Sequence, residues 1–101
     1  MLVSLSMFPT DKGESVSSEV AKIIDIIDRS GLSYKLSAMA TVIEGEWEDI
    51  MNLINECRLK LHETSNRVYI VMTVDDRKDA SGRLDGKVRS LKDKLGRDVK
   101  S

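Results

Sequence analysis

The sequence is poor in the residues that build covalent cross-links and metal sites. Among 101 residues it has one cysteine, Cys57, and one histidine, His62. A lone cysteine excludes an intramolecular disulfide and a cysteine-built zinc site, and it fits a reducing cytoplasm. His62 has no second histidine to share a metal and no nucleophile motif beside it. We therefore interpret Cys57 as a small apolar residue with an inert thiol and His62 as a surface or helix-end residue without an assigned role, and we expect no cofactor.

Charge of one sign and long apolar runs are also missing. The chain has 16 basic and 17 acidic residues and a net charge of -1, which argues against nucleic-acid and anionic-membrane partners. No stretch approaches the ~20 apolar residues that span a bilayer, and the opening MLVSLSMFPT lacks the basic leader of a signal peptide. These features predict a soluble, cytoplasmic protein. Its length fits a single domain, residues 1–101.

Apolar periodicity predicts the element order βαββαβ followed by a C-terminal helix. Period-two alternation marks Leu2 to Phe8 and Arg67 to Asp75 as strands, and Ser33 to Trp47 as a β-hairpin that leads into a helix. Helical spacing marks three further segments, which run from Ser15 to Gly31, from Gly45 to about Glu63, and through the seam formed by Leu84, Val88, Leu91 and Leu95. In the second of these, Trp47, Ile50, Met51, Ile54 and Leu61 form the predicted buried stripe, with Cys57 at its edge.

Right-handed crossovers and short connections leave one economical topology for this order. It is the α+β, ferredoxin-like arrangement, a four-stranded antiparallel sheet with two helices on one face. The other face is predicted to carry a mixture of hydroxyl and apolar side chains that suits free solvent poorly. We therefore expect a homo-oligomer with sheet-to-sheet contact. The residues of this open face are Ser4, Ser6, Tyr69, Val71 and Thr73.

Two groups of residues are candidates for chemistry. Glu44 ends the second hairpin strand, where a carboxylate is either solvated or makes a functional contact. Thr41 lies three residues before it, so the two side chains point to opposite faces unless the strand bends or ends between them. Asp75 and Asp76 follow the last strand and could bind a divalent cation. Their loop lacks the ligand spacing and glycine of a calcium loop, so a solvated loop explains them equally well.

Several segments together resemble the family of small thiamine-binding proteins. They are VSLSMFPT, SAMATVIEGEW, and RVYIVMTVDDRKD followed by GKVRSLKDKL, and they cover nearly the whole chain in order. The resemblance implies a ferredoxin-like fold, assembly by pairing of sheets into homotetramers, and binding of thiamine or of its hydroxymethylpyrimidine moiety. No catalytic activity is implied.

The resemblance also implies a ligand site. The family's Thr-x-x-Glu-Gly corresponds here to Thr41, Glu44 and Gly45, and the strand hydroxyls of Ser4 and Ser6 are expected near the ligand. A carboxylate such as Glu44 suits the ring nitrogen and amine of an aminopyrimidine, and an aromatic face suits the thiazolium charge. Tyr34 and Trp47 are the aromatic candidates, and small residues at Ser37-Ala38-Met39 leave room for a flat ring.

The function predicted from the sequence is therefore non-enzymatic binding of thiamine or its hydroxymethylpyrimidine moiety by a homo-oligomer, most simply a homotetramer formed through open sheet faces. Two alternatives stay open. One is a metal-assisted hydrolase that uses Asp75, Asp76 and Glu44. The other is a structural or regulatory subunit that binds no small ligand.

Overall fold

The fold follows the predicted order of strands and helices. The computed structural model describes residues 1–101 except for the side chain of Ser15. A short 3-10 turn, Gly13–Ser15, precedes the first helix. The elements are β1 (Leu2–Pro9), α1 (Val16–Arg29), β2 (Ser33–Leu36), β3 (Thr41–Glu44), α2 (Trp47–His62), β4 (Val68–Asp75) and α3 (Arg83–Leu95).

The four strands form one antiparallel sheet in the order β2-β3-β1-β4. Leu5 pairs with Thr41 on one side and with Met72 on the other, and Ser4 pairs with Val42 and Thr73. Because side chains alternate along a strand, each such row lies on a single face of the sheet. The α+β, ferredoxin-like topology predicted from the sequence is confirmed.

One face of the sheet, here called the helix face, carries the core. Val3, Leu5 and Met7 of β1 lie there beneath α1 and α2, and all three are nearly inaccessible to solvent. The burial of this apolar surface is the main force that holds the helices on the sheet. The core is completed by Ile43 of β3, by Ile23 and Ile27 of α1, and by Ile50, Leu53, Ile54, Cys57 and Leu61 of α2.

The buried stripe predicted for α2 is wrong at one position and incomplete at another. Trp47 is 55% exposed, because it is the first residue of the helix and the helix reaches the core only from Ile50 onward. Leu53 takes its place in the core. Cys57 is fully buried and not at the edge of the stripe, and this burial raises the pKa of its thiol to about 11. The thiol therefore stays protonated at neutral pH, which suits a structural role.

The third helix lies on the opposite face, here called the open face, across β3 and β2. None of its residues is fully buried, and Leu91 and Leu95 are more than half exposed. The seam predicted for this helix is therefore only partly used, at Leu84 and Val88. None of the described helices has the length and apolar character needed to cross a membrane.

Strand β4 is an edge strand with accessible apolar side chains on both faces. Tyr69 and Val71 lie on the open face, while Ile70, Met72 and Val74 lie on the helix face at the margin of the core. Each of the five is more than a third exposed. An uncovered edge of this length is a template for pairing with another chain.

Ile43 is the position at which truncation of the core should be most disruptive. It is fully buried on β3, between β1 and β2 and beneath the helices. We expect Ile43→Ala to lower the free energy of unfolding by ~2–5 kcal/mol, measured by urea denaturation, because it leaves a cavity in the core. The matched control is Leu36→Ala on the neighbouring strand, where the side chain is 61% exposed and the change should stay within ~0.5 kcal/mol.

Candidate functional site

The tip of the β2–β3 hairpin is closed by Ser37. Its backbone N–H donates to the carbonyl oxygen of Ala40 at 3.0 Å, and its hydroxyl donates to the same oxygen at 2.7 Å. The N–H of Ala40 in turn donates to the Ser37 hydroxyl at 3.3 Å. These three bonds fix the turn while Met39 projects from it, 87% exposed. The turn lies where the sequence predicted it.

A cavity of about 200 Å³ lies between this hairpin and α1. Its floor is the outer part of β1, one wall is the apolar side of α1, and the other wall is the hairpin tip with its two alanines. The small side chains of Ala38 and Ala40 leave this space, as the sequence suggested. The cavity has no charged side chain in its lining.

Thr41 supplies a buried polar side chain to the cavity. It stands at the start of β3 on the helix face, opposite Leu5, and is only 5% exposed. Its hydroxyl makes no hydrogen bond with the residues that the structure describes. Among the described residues, Ser65 Oγ is the buried side-chain polar atom without a hydrogen-bond partner, so the Thr41 hydroxyl keeps access to solvent through the cavity. Such a group is therefore available to a ligand.

Glu44 lies on the other face of the same strand. The Glu44 carboxylate accepts hydrogen bonds from the backbone N–H groups of Arg83, at 2.8 Å, and Leu84, at 3.4 Å. These groups belong to the first turn of α3, where unpaired N–H groups and the helix dipole favour a negative charge. The sequence left open whether this carboxylate is solvated or makes a specific contact. In the structure it makes a specific contact, since it caps α3. Thr41 and Glu44 lie on opposite faces, as their spacing predicted.

Asp75, the last residue of β4, also contacts α3. Arg83 and Lys87 both contact its carboxylate, with Lys87 Nζ at 2.7 Å from Oδ2. The hydrogen bonds from Lys87 and Arg83 lower the pKa of Asp75 to about 2. A third ion pair joins Lys35 of β2 to Asp85 of α3. Helix α3 is thus attached to the sheet largely by polar contacts, a signal that apolar periodicity could not reveal.

The remaining predicted site residues are Ser4, Ser6 and Gly45. Ser4 and Ser6 lie on the open face, and Ser4 stands directly opposite Thr73. Gly45 follows β3, where an added Cβ would lie 3.2 Å from Leu32 Cδ2, so a larger residue would fit only if Leu32 shifted by a few tenths of an ångström. Ser4, Ser6 and Glu44 thus alternate onto the face opposite Thr41, but Ser6, nearer the hairpin tip, also lines the cavity to which Thr41 belongs.

Of the two aromatic candidates, Tyr34 is held by a hydrogen bond and Trp47 has an exposed ring. The Tyr34 hydroxyl donates to an Asp28 oxygen at 2.7 Å, and this bond raises the pKa of the Tyr34 phenol. Trp47 presents an exposed ring at the start of α2. The apolar residues of α1 that line the cavity, among them Val20, Ile23 and Ile24, were interpreted from sequence only as core.

The acidic residues do not form a metal centre. Among the side chains that the structure describes, no three histidine, cysteine, aspartate or glutamate groups are close enough to hold an ion. Asp75 is paired with two cations and Glu44 with two N–H groups. Two of the three carboxylates assumed by the hydrolase alternative are thus engaged within the chain.

Residues 3–92 match the sequence profile described as thiamine-binding protein. The chain belongs to this family. It is 34% identical over 83 residues to a UPF0045 protein of Methanothermobacter thermautotrophicus, covering 80% of this chain and 84% of that protein.

Solved structures agree with the fold. A hypothetical protein of Methanocaldococcus jannaschii superposes with a TM-score of 0.81 at 29% identity, over 89% of this chain and 93% of that one. A Thermotoga maritima protein proposed to act in thiamine biosynthesis or salvage gives a TM-score of 0.79 at 22% identity, over 89% and 96% of the two chains. At that identity the second likeness supports the fold alone.

The attachment of α3 should depend on the charge of Asp75. Because the folded pKa of Asp75 lies below its usual value near ~4, the ionised group favours the docked helix above ~pH 4, and this contribution is lost as the pH falls toward 2. We expect Asp75→Asn to increase hydrogen exchange of residues 83–95 at neutral pH without changing exchange in α2.

The control for this experiment is Asp98→Asn, which removes an ion pair to Lys92 at the far end of the helix. It should leave the exchange of the first turns of α3 unchanged. Equal protection of α3 in the Asp75 variant and the wild type would show that apolar contacts, not Asp75, hold the helix.

Proposed function

We propose that this protein is a non-enzymatic binding module for thiamine or its hydroxymethylpyrimidine moiety. The observation that carries the proposal is the cavity between α1 and the hairpin, present in a chain of the thiamine-binding protein family. A concave space lined mainly by apolar side chains with a few polar groups, here the residues Ser6, Ser37 and Thr41, is the usual form of a small-molecule site. The described side chains around the cavity include no nucleophile with an adjacent base, which favours binding over catalysis.

The residues predicted to contact the ligand from the open face are also part of this proposal. A carboxylate has about four acceptor sites, and Glu44 uses two of them for α3, so it can still accept from the amine of a ligand. Gly45, Ser4 and Ser6 lie at successive levels along β1: Gly45 is bonded to Met1, Ser4 stands opposite Val42, and Ser6 lies nearer the hairpin tip, where it also lines the cavity. We propose that they contact ligand, or the partner subunit, when the open face is covered.

We propose that the open face is covered by another copy of the chain, as in the homotetramer expected for the family. The radius of gyration is 15.1 Å, against ~13 Å for a compact chain of this length. The excess fits a subunit with a projecting helix and an uncovered strand. Tyr69 and Val71 on β4 and the neighbouring Phe8, whose ring lies 5.6 Å from that of Tyr69, supply the apolar contact surface. We propose that this assembly is located in the cytoplasm.

Ligand binding is tested by a thermal-shift titration. Because ligand at ~100 times its dissociation constant adds ~2.7 kcal/mol to the folded state, thiamine or hydroxymethylpyrimidine should raise the melting temperature by roughly 11–22 °C. Magnesium and manganese serve as controls and should produce no shift. A shift with the metals and none with either organic ligand would favour the hydrolase, and no shift with any of them would favour a subunit without a small ligand.

Self-association is tested by light scattering coupled to size-exclusion chromatography. Val71→Lys places a charge at the centre of the exposed part of β4, and we expect it to shift an oligomer of the wild-type chain to the 11.3 kDa monomer. The matched control is Leu59→Lys, at a similarly exposed leucine on the helix layer, which should leave the oligomer intact. A wild-type chain that is monomeric at micromolar concentration would contradict the proposed assembly.

A further inference from the structure

We propose that Met39 is a modification site, at which peroxides form methionine sulfoxide and thereby weaken ligand binding in the adjacent cavity. The oxidation step depends only on the exposure and chemistry of this side chain. Its effect on binding rests on the proposed function and adds a means of regulation to it.

Exposure separates Met39 from the other methionines. The chain has five of them, and Met39 at the hairpin tip is 87% exposed, against 37% for Met72 on β4. Met1 and Met7 belong to the buried core, and Met51 packs against it. Because an oxidant must reach the sulfur atom, the most accessible thioether should react first.

The oxidation requires a peroxide and the sulfur atom alone. The Met39 sulfur attacks one peroxide oxygen, the O–O bond breaks and an S–O bond forms. With hydrogen peroxide, the proton of the transferred oxygen passes to the departing hydroxide, which leaves as water. Sulfur gives up two electrons and the peroxide accepts them, so one thioether and one hydrogen peroxide yield one sulfoxide and one water.

The hairpin turn should remain intact after this oxidation. Its three hydrogen bonds join Ser37 to Ala40, and none of them involves Met39. The Met39 side chain is already in solvent, so a polar sulfoxide there costs the fold little. Oxidation of Met7 would differ, because it would place a polar group without a partner in the core.

The cavity gives the oxidation its consequence. Met39 is one of the residues that line the cavity although its side chain is largely exposed, so it stands where the cavity meets solvent. A flexible thioether in this position can pack over a bound ring, and contact between sulfur and an aromatic ring is favourable. The opposite wall carries the aliphatic side chains of Val20 and Ile24. A sulfoxide would lose hydrogen bonds to water if it packed there, so it stays in solvent and no longer covers the ring.

The first measurement is a peptide map by mass spectrometry during treatment of the full chain with dilute hydrogen peroxide. We expect Met39 sulfoxide to form about tenfold faster than Met7 sulfoxide and faster than Met72 sulfoxide, with no change in melting temperature. In Met39→Leu, the other four methionines should oxidise at their wild-type rates. Oxidation of Met51 or Met72 as fast as Met39 would overturn the assignment of this site.

The second measurement is calorimetric titration with thiamine and with hydroxymethylpyrimidine, before and after peroxide treatment. Oxidation should weaken binding by the wild type roughly two- to tenfold, the range expected for loss of one sulfur–ring contact. Met39→Leu should keep its affinity after treatment, whereas Met39→Gln, which is polar and of similar length, should bind weakly without any peroxide. The matched control is Met72→Leu, which should lose affinity on oxidation as the wild type does.

The outcomes separate this inference from the proposed function. Equal affinity of the oxidised and the untreated wild type would overturn the regulation and leave the proposed function intact. Loss of affinity on peroxide treatment in Met39→Leu would also overturn it, since another residue would then be responsible. If the untreated protein bound neither ligand, the proposed function and the regulation would both fail, whereas selective oxidation of Met39 in the peptide map would still establish the modification site.

Discussion

The rest of the structure depends on the alternation of side chains along β1. This strand is paired on both sides, with β3 and β4, and its odd-numbered residues Val3, Leu5 and Met7 form the floor of the core. Its even-numbered residues must then face the other way. A shift of register by one residue would move three core side chains into the open face, so the pairing is strongly specified. Both the cavity and the open face take their positions from this one strand.

The two faces of the sheet are held by different forces. On the helix face, α1 and α2 bury apolar side chains, and this attachment does not depend on ionised groups. On the open face, α3 buries no residue fully and depends on Glu44, Asp75 and the ion pair between Lys35 and Asp85. Partly exposed charges are screened by salt, so the third helix is the element most readily released from the sheet.

The fold was accessible from the sequence because its main elements are strongly periodic. Alternation in Leu2 to Phe8 and Arg67 to Asp75, and helical spacing in α1, predicted the sheet and its apolar face. Periodicity failed where position along the element mattered more than spacing. Trp47 has the spacing of a core residue, but it lies ahead of the first contact with the sheet and is exposed.

The candidate site was harder to predict from the sequence than the fold. The sequence indicated that Thr41 and Glu44 point to opposite faces and that small residues at the hairpin tip leave space. Neither the cap that Glu44 forms on α3 nor the unpaired state of the Thr41 hydroxyl could be predicted, since each depends on residues distant in the chain. The Glu44 bonds join residues separated by about forty positions. Local spacing has no information about such contacts.

The position of Thr41 on β3 explains why a small cavity can be a useful site. Strand β3 is paired with β1 and β2, and the turn that precedes it is closed by three hydrogen bonds of Ser37. The Thr41 hydroxyl and the hairpin wall are therefore held in place before a ligand arrives. A preformed site loses little conformational entropy on binding, so a single ring with one hydrogen bond can be retained.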